Sequence, residues 1–181
     1  MVELTVLNSM AGAQIEACMD QHVLWGSSLL DLKDQVYGKS VAELSSLETR
    51  GISMLAAARK LTLHTLSTGL FHSDIEAGEG AFRSRWDPIL EDVLRVASEL
   101  NPRQIRLLMA MTSRRSNILD SSEYLRACHP WVLNVYREAV DRITGAGFGA
   151  VIENEVRNCL FSRPQEVLSF FAVLDRPGRF L

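Results

Sequence analysis

The sequence has few cysteines, no excess of positive charge and no long apolar run, and each absence excludes a class of protein. The three cysteines, Cys18, Cys128 and Cys159, are far apart, so neither a disulfide framework nor a CxxC zinc site is indicated. The 19 lysines and arginines against 22 aspartates and glutamates give a net charge of −3, which offers no general attraction to nucleic acid. No apolar run approaches the roughly 18 residues of a membrane span. The acidic N-terminus lacks a signal-peptide pattern, so we expect a cytoplasmic protein.

Nucleotide-binding and nucleophile motifs are also missing. There is no Walker A sequence and no GxSxG motif. A glycine-rich stretch occurs at 145–149, but its glycines follow a predicted helix and precede a predicted strand. A phosphate-binding loop has the opposite order, because it follows a strand and opens a helix. We therefore interpret these glycines as a helix end and a tight turn.

The sequence does contain a regular alternation of strand and helix patterns. Short apolar runs typical of strands occupy residues 4–7, 23–32, 61–66, 104–112 and 148–153. Helical spacing follows each run; Ser40 and Glu43 have the spacing of a capping box, and Asp87-Pro88 predicts another helix start. Such alternation predicts an α/β fold with parallel strands. Residues 179–181, after a Pro177-Gly178 turn, indicate the start of a sixth strand.

Four polar residues on the predicted strands are the candidate site residues. Glu153 ends the fifth apolar run, where a carboxylate is costly to bury unless it is paired, protonated or bound to a metal. His64 lies within the third run, where a neutral imidazole could bind a hydroxyl group or transfer a proton near neutral pH. Asp31 and Lys33 lie at the end of the second run and could contact a substrate. Structural roles remain open for all four: a salt bridge or solvent exposure for the charged residues, and a satisfied core position for His64.

Charged residues also follow the third and fourth strands, in the segments 67–86 and 113–128. The first segment predicts a long, mostly solvated loop that carries His72, Asp74, Glu76 and Glu79. In the second, Arg114 and Arg115 could hold a phosphate or carboxylate, although a solvated charge pair is the interpretation we favour. Long loops after strands, with short turns after helices, are typical of the functional face of a TIM barrel.

Three stretches resemble the sugar phosphate isomerase/epimerase family, the xylose isomerase-like TIM barrels. They are LLDLK at 29–33 with GKSVAELS at 38–45, LHTLST at 63–68, and VIENE at 151–155. The resemblance extends over the whole chain, and the order and spacing of the stretches carry it. It implies an enzyme that moves a proton between carbons adjacent to the carbonyl group of a sugar or sugar phosphate.

The same resemblance implies a divalent metal ion: manganese, magnesium, cobalt or zinc. In the family, the metal is held by a glutamate after the fifth strand, an aspartate after the sixth, a histidine after the seventh and a glutamate after the eighth. By resemblance, Glu153 is the first of these metal ligands and a catalytic carboxylate. His64, Asp31 and Lys33 are then expected to bind substrate.

The length modifies the fold that the resemblance implies. A complete (β/α)8 barrel needs about 250 residues, whereas this chain has 181. We therefore predict a partial (β/α)8 TIM barrel of about five βα units, a single domain over 1–181 that is incomplete at its C-terminal end. An open barrel exposes sheet edges, which predicts self-association or a homo-oligomer.

Two alternative functions remain open at this point. Endonuclease IV-type DNA repair nucleases share the barrel and use a cluster of zinc ligands that includes several histidines; four histidines and no basic face argue against that class. A non-catalytic, flavodoxin-like binding module of five strands would also have this length. The partner that we expect is a small sugar or sugar phosphate, with no nucleic acid and no membrane.

Overall fold

The strands form one parallel sheet. The structure, a computed structural model, describes residues 4–154 and 158–176. Its strands are β1 Val6–Leu7, β2 Leu29–Lys33, β3 Thr62–Ser67, β4 Gln104–Leu108 and β5 Gly149–Glu153. They are hydrogen-bonded in the order β1-β2-β3-β4-β5, with parallel pairing. Parallel neighbours need a crossover connection, and helices supply it here.

The strand order decides between the fold classes. Strands that follow each other in sequence are neighbours throughout the sheet. A flavodoxin-like sheet has the order 2-1-3-4-5, so the flavodoxin-like alternative is wrong. A sequential order of βα units is that of a TIM-barrel arc, and the predicted partial (β/α)8 barrel with five parallel strands is confirmed.

Within the described residues, seven α-helices accompany the strands, and one shows how a capping box fixes a helix start. They are α1 Asn8–Ala11, α2 Ile15–Leu24, α3 Ser46–Ala58, α4 Glu79–Leu100, α5 Ser121–Cys128, α6 Trp131–Gly145 and α7 Pro164–Leu174. The predicted capping box at Ser40 and Glu43 is present, but it opens only a 3-10 helix over Val41–Glu43. A second box, between Ser45 and Glu48, starts α3, because each side chain accepts a hydrogen bond from the free backbone amide of the other residue.

The chain divides into two compact units, each with its own buried residues. The first unit comprises Met1–Thr68 and Glu91–Arg106, and the second comprises Gly69–Leu90 and Leu107–Leu181. The largest fully buried side chains of the first unit are aliphatic or methionine: Met19, Leu30, Leu32, Leu44, Ile52 and Leu66. Those of the second include four large aromatic rings: Phe71, Tyr136, Phe161 and Phe170. Aromatic side chains bury large areas each, so a few of them supply much of the second core.

Two strands are shorter than the apolar runs that predict them. The run at 23–32 predicts one strand, but α2 continues to Leu24 and β2 begins at Leu29. Gly26 lies in the turn between them with a φ of 73°, which glycine adopts without steric cost. The strand predicted over 104–112 ends at Leu108.

Helix α4 begins well before the position that Asp87-Pro88 predicts. It starts at Glu79, within the predicted loop, and contains Pro88 in its interior. Interior proline costs roughly 3 kcal/mol because it removes a hydrogen bond. Phe82, Trp86 and Leu90 are all buried at four-residue spacing, and each such burial contributes about 1.5–3 kcal/mol. The apolar stripe therefore outweighs the proline. The segment 113–128 likewise contains a helix, α5.

Some sequence predictions concern residues that the structure does not describe. The Pro177-Gly178 turn and the sixth-strand start at 179–181 lie outside the described residues. Among the helices that are described, none combines the length and the apolar character needed to cross a membrane.

Candidate functional site

In the first unit, Lys33 is the last residue of β2, as predicted, whereas Asp31 lies at the middle of that strand. Asp31 Oδ1 accepts a hydrogen bond of 2.5 Å from the hydroxyl group of Ser67 on β3. The amide of Lys33 donates to Oδ1 of the buried Asn8 over 2.7 Å. Both Asp31 and Lys33 are half-buried. The Ser67 contact orients the Asp31 carboxylate, and the Asn8 contact ties the end of β2 to the residue that follows β1.

His64 is the extra residue of a β-bulge in β3. Leu30 pairs with Leu63 and Asp31 pairs with Thr65, so His64 has no counterpart on β2. Bulges are common beside functional sites, where they redirect a side chain. His64 is half-buried, and its Nδ1 lies 3.0 Å from Oγ1 of Thr65.

Glu153 belongs to the second unit and is the last residue of β5. Its carbonyl oxygen accepts a hydrogen bond from the amide of Met109 over 2.9 Å. Its side chain is exposed, so the carboxylate escapes the cost of burial and is accessible from solvent. The strand-end position agrees with the sequence prediction, while Glu155 of the VIENE stretch lies outside the described residues.

A second polar group, around Glu76, was not expected from the sequence. Glu76 Oε1 accepts hydrogen bonds from the hydroxyls of Thr112, over 2.6 Å, and Tyr124, over 2.7 Å. Its Oε2 lies 3.3 Å from Nε of Arg114 and 3.5 Å from Nε2 of His129. The Tyr124 hydroxyl is also 3.2 Å from that His129 nitrogen. We call these five residues the Glu76 network. Here the prediction of a mostly solvated loop is wrong.

The network shifts the pKa values of its members in opposite directions. Burial by itself would raise the pKa of Glu76, but the hydrogen bonds from Thr112 and Tyr124, with His129 and Arg114 nearby, hold its pKa below the usual range. Burial and the adjacent Glu76 carboxylate raise the pKa of Tyr124 to about 12. The network is thus an ionised carboxylate that accepts hydrogen bonds from neutral hydroxyl groups.

Arg115 does not offer its guanidinium to a ligand. Its side chain is 13% exposed, and Nη2 lies 2.9 Å from Oε2 of Glu166. The same guanidinium donates to the hydroxyls of Ser121 and Ser162. The interpretation of Arg114 and Arg115 as a solvated pair is therefore wrong for Arg115, which acts as an internal connection, and it holds for Arg114, which is 66% exposed.

The described residues do not fit a complete metal site. Within 4–154 and 158–176, no three side chains of histidine, cysteine, aspartate or glutamate are grouped so that they could hold a metal ion. Protein sites for catalytic metals normally supply three or more ligands. Glu153 could supply one.

Comparison with solved proteins identifies the fold. No protein-family model and no curated protein sequence matches the chain. D-psicose 3-epimerase from Clostridium cellulolyticum H10, solved with D-tagatose, superposes with a TM-score of 0.72 at 14% identity, over 97% of this chain and 61% of the epimerase. A xylose isomerase-like TIM barrel protein from Mycobacterium smegmatis, in complex with magnesium, gives 0.62 at 15% identity over 90% and 53% of the two chains. This chain has a xylose isomerase-like fold.

Other proteins with the xylose isomerase-like fold also match. A family 2 AP endonuclease from Brucella melitensis superposes with a TM-score of 0.65 at 15% identity, over 98% of this chain and 66% of the endonuclease. The chain spans 66% of the length of this endonuclease, 61% of the epimerase and 53% of the Mycobacterium smegmatis protein. At such low identities, the superpositions establish the fold alone, and the activity has to be argued from residues.

Proposed function

We propose that this protein is a sugar or sugar phosphate isomerase or epimerase that moves a proton between carbons adjacent to a carbonyl group. One observation carries the proposal: Glu153 is the exposed last residue of β5 in a xylose isomerase-like fold. In such barrels, active sites are built at the carboxyl ends of the strands. The likeness to a D-psicose 3-epimerase supports the same class of reaction.

The proposed role of Glu153 is general acid/base catalysis. For isomerisation, its carboxylate would take a proton from the carbon next to the carbonyl group and return it to the former carbonyl carbon, while the hydroxyl proton moves to the carbonyl oxygen. For epimerisation, the proton taken from that carbon is replaced on the same carbon from the opposite face. A positioned general base contributes about a hundredfold to ten-thousandfold in rate. Solvent exposure in the free protein leaves room for a substrate to reach this carboxylate.

The proposed role of Asp31, Lys33 and His64 is substrate binding. The Asp31 carboxylate accepts hydrogen bonds from sugar hydroxyls, and Ser67 already orients it. The Lys33 ammonium donates hydrogen bonds and attracts a phosphate group if the sugar carries one. His64, which the bulge redirects, would contribute a ring nitrogen as a further hydrogen-bonding group for the substrate.

We also propose a divalent metal cofactor, for which Glu153 would supply one ligand. The Mycobacterium smegmatis protein of this fold is solved with magnesium. Removing metal with a chelator should therefore abolish activity, and adding back Mn²⁺ or Mg²⁺ should restore it. Equal activity before and after chelation would contradict this part of the proposal.

The function is tested by product formation from D-fructose in the presence of Mn²⁺, followed by chromatography of the sugars. Wild type should form an isomeric sugar, and Glu153→Gln should lower kcat by about a hundredfold or more. Glu16→Gln, which changes an exposed carboxylate on α2, should leave kcat unchanged. Failure of the wild-type protein to form an isomer from D-fructose or D-fructose 6-phosphate would contradict the proposal, as would equal rates for wild type and Glu153→Gln.

Substrate binding is tested separately with Lys33→Gln. We expect a several-fold rise in KM with little change in kcat, because a binding contact made equally in the ground and transition states affects KM alone. Lys60→Gln is the matched control, since Lys60 is an exposed lysine in the turn before β3. A KM that is the same in both variants would remove Lys33 from the binding residues.

A nuclease is the second candidate function, and the match to the Brucella melitensis AP endonuclease favours it. The net charge of −3 opposes it, because DNA binding relies on clustered positive charge. Salt-sensitive binding to a duplex with an abasic site, together with cleavage at that site, would support the nuclease over the isomerase.

A further inference from the structure

The contact between His64 and Thr65 is unusual because the two residues are neighbours in one strand. Successive side chains of a regular strand point to opposite faces. Here Nδ1 of His64 lies 3.0 Å from Oγ1 of Thr65. The bulge at His64 disrupts the alternation and lets the two side chains meet.

Thr65 has a second hydrogen-bond partner, Gln104 on the neighbouring strand. Gln104 on β4 is paired in register with Thr65, and its Nε2 donates to Oγ1 of Thr65 over 3.1 Å. Thr65 and Gln104 are both buried, at 5% and 7% exposure, so their polar atoms need partners inside the protein.

A hydroxyl group has one proton to donate. It can also accept twice, so the direction follows from where that buried proton can go. Apart from the Gln104 donor, Nδ1 of His64 is the one atom among the described residues that the structure places in hydrogen-bond contact with the Thr65 hydroxyl, so the proton is donated to that nitrogen. That nitrogen must then be the unprotonated one, so the ring proton is on Nε2. The tautomer of a histidine is assigned in this way from the network around it.

We infer that Gln104 and Thr65 are positioning residues that hold His64 in the Nε2–H tautomer. His64 then presents a hydrogen-bond donor, and the group that it recognises is an acceptor oxygen, such as a carbonyl or hydroxyl oxygen of a ligand. Thr65 is the one hydrogen-bond partner that the structure gives His64 among the described residues, so Nε2 remains available. We call the hydrogen-bonded series Gln104–Thr65–His64 the relay. The ligand's identity as a sugar rests on the proposed function, but the relay itself does not.

The relay is tested on the free protein by ¹⁵N NMR of histidine-labelled samples, at a pH where His64 is neutral. His64→Asn assigns the two ring nitrogens by removing their signals. Wild type should show Nε2 protonated and Nδ1 unprotonated, with Nδ1 shifted by a hydrogen bond. Thr65→Val should remove that hydrogen-bond shift, and Thr65→Ser should restore it.

A second variant keeps the test sound if Thr65→Val does not fold. Gln104→Met fills a similar volume but removes the amide donor, which frees the Thr65 hydroxyl to donate or accept. His64 should then show averaged nitrogen shifts in place of a single tautomer. A wild-type His64 that is protonated on Nδ1 would overturn the inference, and so would an Nδ1 signal that is the same in wild type, Thr65→Val and Gln104→Met.

Titration with D-fructose then separates the relay from the proposed function. A change at the His64 Nε2–H signal in wild type and Thr65→Ser, weakened in Thr65→Val, is the expected result. If the free-protein signals behave as predicted but D-fructose leaves the Nε2–H signal unchanged, the relay is supported and D-fructose is not the ligand of His64. If D-fructose binds equally well to wild type and Thr65→Val, the positioning role is wrong although the proposed function survives.

Discussion

The Glu76 carboxylate acquires its partners only in the folded chain. Its folded pKa lies below its ordinary value of 4.5, so it stabilises the fold above that pH. This contribution is lost as the pH falls through the lower folded pKa. Glu76→Gln should lower the free energy of unfolding at neutral pH by about 1–3 kcal/mol, since it disturbs hydrogen bonds to a charged group. It should also make the free energy of unfolding fall less steeply as the pH is lowered.

Urea unfolding at neutral pH and in acid checks this prediction. Glu123→Gln is the control, because Glu123 is an exposed carboxylate in the first turn of α5. The stability difference between wild type and Glu76→Gln should shrink as the pH falls from about 5 to about 3. A difference that stays constant over that interval would mean that the Glu76 charge does not contribute.

Single residues also show where sequence reasoning ended. Glu153 and His64 could be placed on strands because apolar runs surround them. The Glu76 network could not be predicted, because Thr112 and Tyr124 lie 36 and 48 positions away along the chain. The loop of Glu76 is polar, and no periodic pattern distinguishes a carboxylate with three-dimensional partners from a solvated one.

Helix α6 shows the same limit at the scale of an element. Its apolar spacing predicts the helix, and Trp131–Gly145 confirms it. The spacing does not reveal that the buried Tyr136 hydroxyl bridges the backbone at the end of β4. That hydroxyl donates to the carbonyl of Leu108 and accepts from the amide of Ala110, each over 2.7 Å. Burial raises the pKa of Tyr136, so the phenol keeps its proton.

Tyr136→Phe should therefore destabilise the protein by about 1–3 kcal/mol, because it removes a hydrogen-bond partner from two buried backbone groups. Thermal or urea unfolding measures the change. Tyr37→Phe is the matched control, since Tyr37 is 42% exposed, and surface changes are usually within about 0.5 kcal/mol. Equal stabilities of the two variants would show that the bridge contributes nothing.

Helix boundaries followed from the sequence only where packing agreed with local signals. Pro164 is the first residue of α7, a position that suits proline because no amide hydrogen bond is needed there. Pro88 carries the same signal but lies inside α4, where the buried Phe82, Trp86 and Leu90 continue the helix through it. The local sequence alone could not show whether the proline or the burial of these apolar side chains has the larger effect on the helix.

For the whole molecule, alternation of strands and helices was enough to predict a parallel arc, and the sequential sheet order confirms it. The register in which the strands pair could not be predicted from the sequence. The bulge at His64 arises from pairing between β2 and β3, and no turn or glycine marks it in the sequence. The proposed donor role of His64 depends on this feature.

The prediction of self-association also belongs to the whole molecule. Within the described residues, β1 pairs with β2 alone, and Leu4 and Leu24 are each 77% exposed in the same unit. Exposed strand edges and apolar patches favour association. Sedimentation velocity should show larger species as the protein concentration rises. Leu4→Lys with Leu24→Lys should reduce them, whereas Leu168→Lys on α7 should not. A monomer at every concentration would contradict the prediction.

The proposed reaction is proton transfer at a carbon next to a carbonyl group, and solvent-deuterium incorporation measures that step itself. The protein is incubated with D-fructose and Mn²⁺ in heavy water, and the recovered sugar is analysed by mass spectrometry and NMR. We predict deuterium at a carbon adjacent to the carbonyl group with wild type, and a rate lower by about a hundredfold or more with Glu153→Gln. Sugar recovered from wild type without deuterium, or labelled equally by both proteins, would contradict proton transfer by Glu153.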